Sequence, residues 1–137
     1  MSCKPLIDVA TTTSSAVVAG GVLPLATITR KRGNEINLSG NSIAITDCGS
    51  NYYLVSVTAT FTAPVAGIVT LNVQQNGANV VGATASTTIT TATTEQRSLS
   101  FSKIVRTLNG NSIDAISVVN AGVAATFSNI DVSVIKL

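Results

Sequence analysis

Residues 51–82 constrain this chain more than any other stretch. Over 52–63 apolar and hydroxylated residues alternate. That period places Tyr53, Val55, Val57, Ala59 and Phe61 on one face of a strand, and Ser56, Thr58, Thr60 and Thr62 on the other. Tyr53 therefore falls with the core residues, and Tyr52 is left for a surface or an interface. After a break containing Pro64 and Gly67, residues 68–75 set Val69, Leu71 and Val73 opposite Thr70, Asn72 and Gln74. Asn76-Gly77 then supplies the pair preferred in a type I′ hairpin, where both central residues need positive φ. Two long half-buried strands joined this way specify part of a β-sandwich, and nothing in them resembles an active site.

The rest of the chain reads as strand after strand. Segments 22–29, entered through Pro24, 36–38, 43–46 and 80–91, bent at Gly82, each carry strand signals. Segment 98–107 follows, with Lys103 interrupting the apolar alternation at an expected bulge or edge. Segments 113–120 and 127–137 complete the set, the last with Ile130, Val132 and Val134 inward and Ser133 and Ile135 on the opposite face. Turns are expected at Asn109-Gly110 and Ala121-Gly122. About eight to ten strands and no helix indicate an all-β protein, a single β-sandwich or jelly roll over 22–137. Residues 1–21 lack a sustained period and read as an extended N-terminal arm. Leu6, Ile7 and Val9 give that arm apolar groups for docking on a partner; the plainer reading is a frayed terminus.

Composition narrows the function classes. The chain has 137 residues, enough for one core, with 10% charged residues, 4% aromatics and a mean hydropathy of +0.46. A surface so poor in charge gives little solvation and little self-repulsion, so part of it is expected to be covered by other subunits. The net charge of +2 is too small to argue for nucleic acid, which requires clustered cations. No apolar run is long enough to span a membrane, and no signal peptide is expected, because Asp8 interrupts the first apolar segment. Cys3 and Cys48 form no disulfide framework; they read as two reduced thiols or as an intersubunit bridge.

The chemistry available is limited. With no histidine, nucleophile–imidazole systems and imidazole metal sites are excluded. Asp8, Glu35, Asp47, Glu95, Asp114 and Asp131 are scattered through the sequence and read as isolated solvated acids rather than a glycosidase pair. No catalytic residue, cofactor site or metal site is expected, and an enzyme is the least favoured class. Arg30-Lys31-Arg32 is the one charge cluster. It reads as a solvated strand end that keeps an edge from pairing, or else as a partner contact. Tyr52 is a second candidate for partner contact, including a glycan.

Residues 51–64 (NYYLVSVTATFTAP), 69–77 (VTLNVQQNG), 81–85 (VGATA) and 128–137 (SNIDVSVIKL) together resemble a known group. These are the small jelly-roll proteins of phages and prophages of Gram-positive bacteria and the heads of spore-surface collagen-like proteins, both similar to the tumour-necrosis-factor and complement-head fold. That group usually has Gly before the paired aromatics, where this chain has Asn51, a residue that also tolerates positive φ. The resemblance implies homotrimers around a threefold axis, with Thr70, Asn72, Gln74, Ser133, Ile135 and Leu137 as interface candidates. No collagen-like stalk is present in the sequence. The expectation is a structural virion protein made in the host cytoplasm: a trimeric capsid-decoration or head-fibre subunit held to a capsid or fibre protein through its arm. Two alternatives stand beside it. One is a self-stacking appendage of a spore or cell surface, and the other is an adhesin head binding a host-surface glycan.

Overall fold

The computed structural model describes residues 4–47, 49–108 and 113–137. Eleven strands occur among them: β1 (Leu6–Thr11), β2 (Ser15–Val17), β3 (Thr27–Arg32), β4 (Ile36–Ser39), β5 (Ser42–Ile45), β6 (Tyr52–Thr62), β7 (Gly67–Gln75), β8 (Ala78–Ile89), β9 (Arg97–Arg106), β10 (Asp114–Asn120) and β11 (Ala125–Lys136). They form two antiparallel sheets. One runs β3-β1-β11-β6-β9, with β2 also pairing β11, and the other runs β4-β5-β10-β7-β8. Consecutive strands repeatedly land in different sheets, which is the connectivity of a jelly-roll sandwich. None of the described residues is helical.

The core lies between the sheets and is supplied by the alternation. Along β6 every second residue from Tyr53 to Phe61 is buried, and along β11 Phe127, Ile130, Val132 and Val134 are buried beside them. Phe61 and Phe127 are cross-strand partners whose rings meet at 5.3 Å with a 57° tilt. The second sheet contributes Ile43, Ile45, Leu71, Val73, Ile116 and Val118 from the opposite side. With so few aromatics, aliphatic side chains fill most of the gap between sheets.

Asn76 and Gly77 have φ of 55° and 82°, as a type I′ turn requires, and β7 and β8 flank them. Lys103 marks an edge: β9 is the outermost strand of its sheet, and its pairing with β6 is unbroken from Tyr52↔Arg106 to Phe61↔Arg97.

Two expectations are corrected. The first is the arm. Residues 6–11 form β1, which lies between β3 and β11 and pairs with β11 from Leu6↔Ile135 to Thr11↔Ile130. Ile7 and Val9 are fully buried in the core, so they are not free to dock on a partner, and no domain boundary falls at residue 22. The second is the strand expected over 22–29. Val22 makes a lone bridge to Val119, and β3 begins only at Thr27. Between them Leu23 N donates to Val118 in one sheet, while Pro24 O accepts from the Thr11 hydroxyl in the other. Pro24 lacks an N–H for a ladder, and the chain crosses between sheets there. Arg30, Lys31 and Arg32, expected at a turn or strand end, are the last three residues of β3. Cys3, Cys48 and the Asn109-Gly110 turn lie outside the described residues.

Candidate assembly face

The outer surface of the β3-β1-β11-β6-β9 sheet is built in rows set by register. One row runs Arg32, Leu6, Ile135, Leu54 and Ile104, one residue from each of five adjacent strands. Four of its five members are aliphatic. Beside it lie Tyr52, paired with Arg106, and Leu137, whose N–H donates to Tyr52 O at 2.9 Å. Tyr52 is 53% exposed, Ile104 52% and Leu137 52%. The result is an apolar band across four strands at one end of the face.

The following rows are mainly hydroxylated, with one acid in each and Arg30 opposite Asp8 on β3. Asp8, Ser133, Ser56 and Ser102 form the next, and Ala10, Asp131, Thr58 and Ser100 the one after. Side chains bond along these rows, Thr58 to Ser100 at 3.4 Å and Thr60 to Ser98 at 3.0 Å. Asp8 and Asp131 are diagonal neighbours across β1 and β11, within reach of one another. Burial foremost, then the hydrogen bond and charge of Asp8, push Asp131 up to about 6.

The six residues expected at a threefold interface do not form one patch. Ser133 and Ile135 lie on this face, with Leu137 just past its last strand. Thr70, Asn72 and Gln74 lie on β7, on the outer surface of the other sheet. There they bond within their own sheet: Thr70 with Ser86, Asn72 with Thr84, and Gln74 with Asn79. Leu6 belongs to the apolar row, whereas Ile7 and Val9 point inward. Arg30, Lys31 and Arg32 are exposed on edge strand β3, and their side chains donate to the carbonyls of Thr29, Gly33 and Lys4. That arrangement fits a protected edge. Sequence reasoning missed Leu54 and Ile104 as members of the face; their outward parity was visible, but their alignment with Ile135 needed the register.

At the end of the sandwich near the apolar band, Asp47 gathers a polar hub. Its carboxylate accepts from Tyr53 OH at 2.9 Å, Asn51 Nδ2 at 2.9 Å, Lys136 Nζ at 3.0 Å and Gly49 N at 3.2 Å. Burial alone would raise its carboxyl, but these donors outweigh it and hold the group below its ordinary value. Burial, followed by the bond to Asp47, raises the Tyr53 phenol well above its usual range. The hub is structural: it pins the segment before β6 to the C-terminal strand.

A shallow cleft at the β7–β8 hairpin is lined by Gln75, Asn76, Ala78, Asn79, Val80 and Leu108. Its amides are largely engaged within the protein. Gln75 Nε2 donates to Arg106 O and Asp114 Oδ1, and Asn76 donates to Asp114 and accepts from Ala115 N. Among the described residues no group of three or more His, Cys, Asp or Glu is placed to hold a metal. No described helix is long and apolar enough to cross a membrane.

No protein-family model matches this chain, and no curated protein matches its sequence. Solved structures do match in shape. Murine APRIL at pH 8.5 superposes with a TM-score of 0.72 at 12% identity, over 98% of this chain and 100% of that one. The PRD1 vertex protein P5 gives 0.66 at 12%, over 100% and 99%. The globular domain of zebrafish complement 1qA gives 0.64 at 10%, over 95% of each. At these identities the likeness establishes the fold, a jelly-roll sandwich like that of the tumour-necrosis-factor-like neighbours.

Proposed function

We propose that this protein is a structural subunit of a virion, a trimeric capsid-decoration or head-fibre protein whose copies pack through the outer face of the β3-β1-β11-β6-β9 sheet. The observation that carries the reading is the apolar band of Leu6, Ile135, Leu54 and Ile104, flanked by Tyr52 and Leu137, on a face whose other rows are mainly hydroxylated. Such a band is costly to leave in water, and the hydroxyls of β6 and β9 in the rows beside it already bond one another. The likeness to a vertex protein of PRD1 supports a place in a particle. Attachment through residues 6–11 is no part of the proposal, since β1 is buried in the sandwich.

The test is the mass of the purified full chain by light scattering, for wild type, Leu54→Ser and Ile104→Ser. The expected result is three times the 13.9 kDa chain for wild type and a shift toward single chains for both variants. A wild type that stays monomeric at high concentration, or a trimer indifferent to both substitutions, overturns the assembly face. Electron microscopy of particles from the native source tests the virion assignment separately, by showing whether knobs of this size sit on a capsid or fibre.

A further inference from the structure

Asp8 and Asp131 are the two acids on the proposed assembly face, and their surroundings do not suit two negative charges. Oδ1 of each is buried with no hydrogen-bond partner. From β3, Thr29 Oγ1 donates to Asp8 Oδ2 at 2.6 Å, while Arg30, the register partner of Asp8, directs Nη1 to the Thr29 carbonyl. From β11 and β6 the neighbours are Ser133, Ser56 and Thr58, all neutral. Among the described residues the ion pairs are Arg97–Glu95, Lys136–Glu35 and Lys136–Asp47, and none reaches this pair. A proton held between the two carboxyls supplies the one donor their facing oxygens lack.

We propose that self-association through this face is proton-linked: each subunit takes up a proton at the Asp8–Asp131 pair as the face is covered, so assembly tightens on acidification and loosens toward alkaline pH. The inference rests on the reading of this face as the contact between copies. Covering it removes the water that partly solvates the second charge, and the neighbouring cation, Arg30, is turned to the Thr29 carbonyl rather than to either carboxylate. Proton affinity is therefore higher in the assembly than in the free subunit. The state that binds protons more tightly gains as pH falls, so the sign is fixed by linkage. In the free subunit Asp131 already titrates at about 6, close to neutrality. With one proton per subunit, the three-body association constant changes by at most about 1000-fold per pH unit above that value.

Sedimentation equilibrium of the full chain from pH 5 to 8.5 at constant ionic strength tests this, alongside Asp131→Asn and Asp8→Asn. Wild type is expected to dissociate progressively as pH rises. Either asparagine variant removes the charge conflict and keeps the shape, so each should associate at all these pH values about as tightly as wild type does at pH 5. Two variants keep the test alive if one fails to fold. Wild-type association that is flat in pH, or a slope that survives in both variants, overturns the proton linkage. If that flat association is still lost in Ile104→Ser, the face stands and only the linkage fails; if it is indifferent to Ile104→Ser, the face itself is wrong.

Discussion

Replacing Gly122 with alanine probes how closely the turn between β10 and β11 sits on β7. A Cβ at this position would lie 2.3 Å from Ile68 O, 2.6 Å from Thr70 N and 3.0 Å from Val69 Cα. All three are backbone atoms, so no side chain can swing aside. A methyl carbon packs at about 3.5 Å from its neighbours, so the turn and β7 must separate by roughly an ångström. Two hydrogen bonds flank the contact, Ala121 N to Thr70 O at 2.8 Å and Val123 N to Ile68 O at 3.0 Å. Losing both costs about 2 kcal/mol, and the overpacking adds about 1–3. The buried Asn120 adds to the penalty, because it ties Val123 O and Gly122 N to its own side chain. The expected loss is about 4 kcal/mol, a large share of the roughly 5–15 kcal/mol that holds a domain together. Urea unfolding followed by circular dichroism measures it. Gly77→Ala is the control: Gly77 has φ of 82° and nothing within 4 Å, so its cost is about 1–2 kcal/mol of backbone strain. A Gly122→Ala chain no less stable than Gly77→Ala would refute the close approach.

Ile7→Ala should cost about 2–5 kcal/mol in the same assay, since Ile7 is fully buried; a change near zero would restore the idea of a free arm. Asp47→Ala should cost about 2–3 kcal/mol at neutral pH, because it strands the donors of Tyr53, Asn51 and Lys136. Asp47 has a lowered folded-state value, so its contribution is full above the ordinary 3.8 and is lost as pH falls through the lower folded value. The gap between wild type and variant should therefore narrow in urea titrations near pH 2, and a constant gap would contradict the assigned hub. Asp131 runs the other way: its raised value means stability is greatest below 3.8 and declines as pH climbs through about 6. The unfolding midpoint of wild type relative to Asp131→Asn should fall between pH 5 and 7.5, and parallel pH profiles would count against the acid pair.

Parity was legible in the sequence and sheet membership was not. The alternation along 52–63 and 127–137 sorted Tyr53 from Tyr52 and Val134 from Ile135 correctly, because period two needs only one strand to be read. It could not tell that Thr70 and Ser133, both outward, belong to different sheets, since that depends on which strands the connections bring together. Residues 6–11 were misread for a related reason. One of their two partners, β11, lies at the far end of the sequence, and in six residues Asp8 interrupts what would otherwise look like a strand. Asp8 and Asp131 looked like isolated acids because 123 positions separate them; the β1–β11 register alone makes them neighbours.

The proposed assembly face joins strands far apart in sequence. Its centre is made of β1 and β11, the first and last strands among the described residues, held side by side between β3 and β6. Leu6 comes from the start of the chain and Ile135 from the end, and the acid pair is likewise split between them. A chain still lacking β11 has neither an apolar band nor two facing carboxyls. It also leaves the edges of β1 and β6 unpaired, a state prone to wrong pairing. Closing that gap is a long-range step of the kind that makes all-β sandwiches slow to fold. The proposed contact surface is therefore complete only once β11 has paired with both β1 and β6. The acid pair is likewise complete only when β1 and β11 have paired.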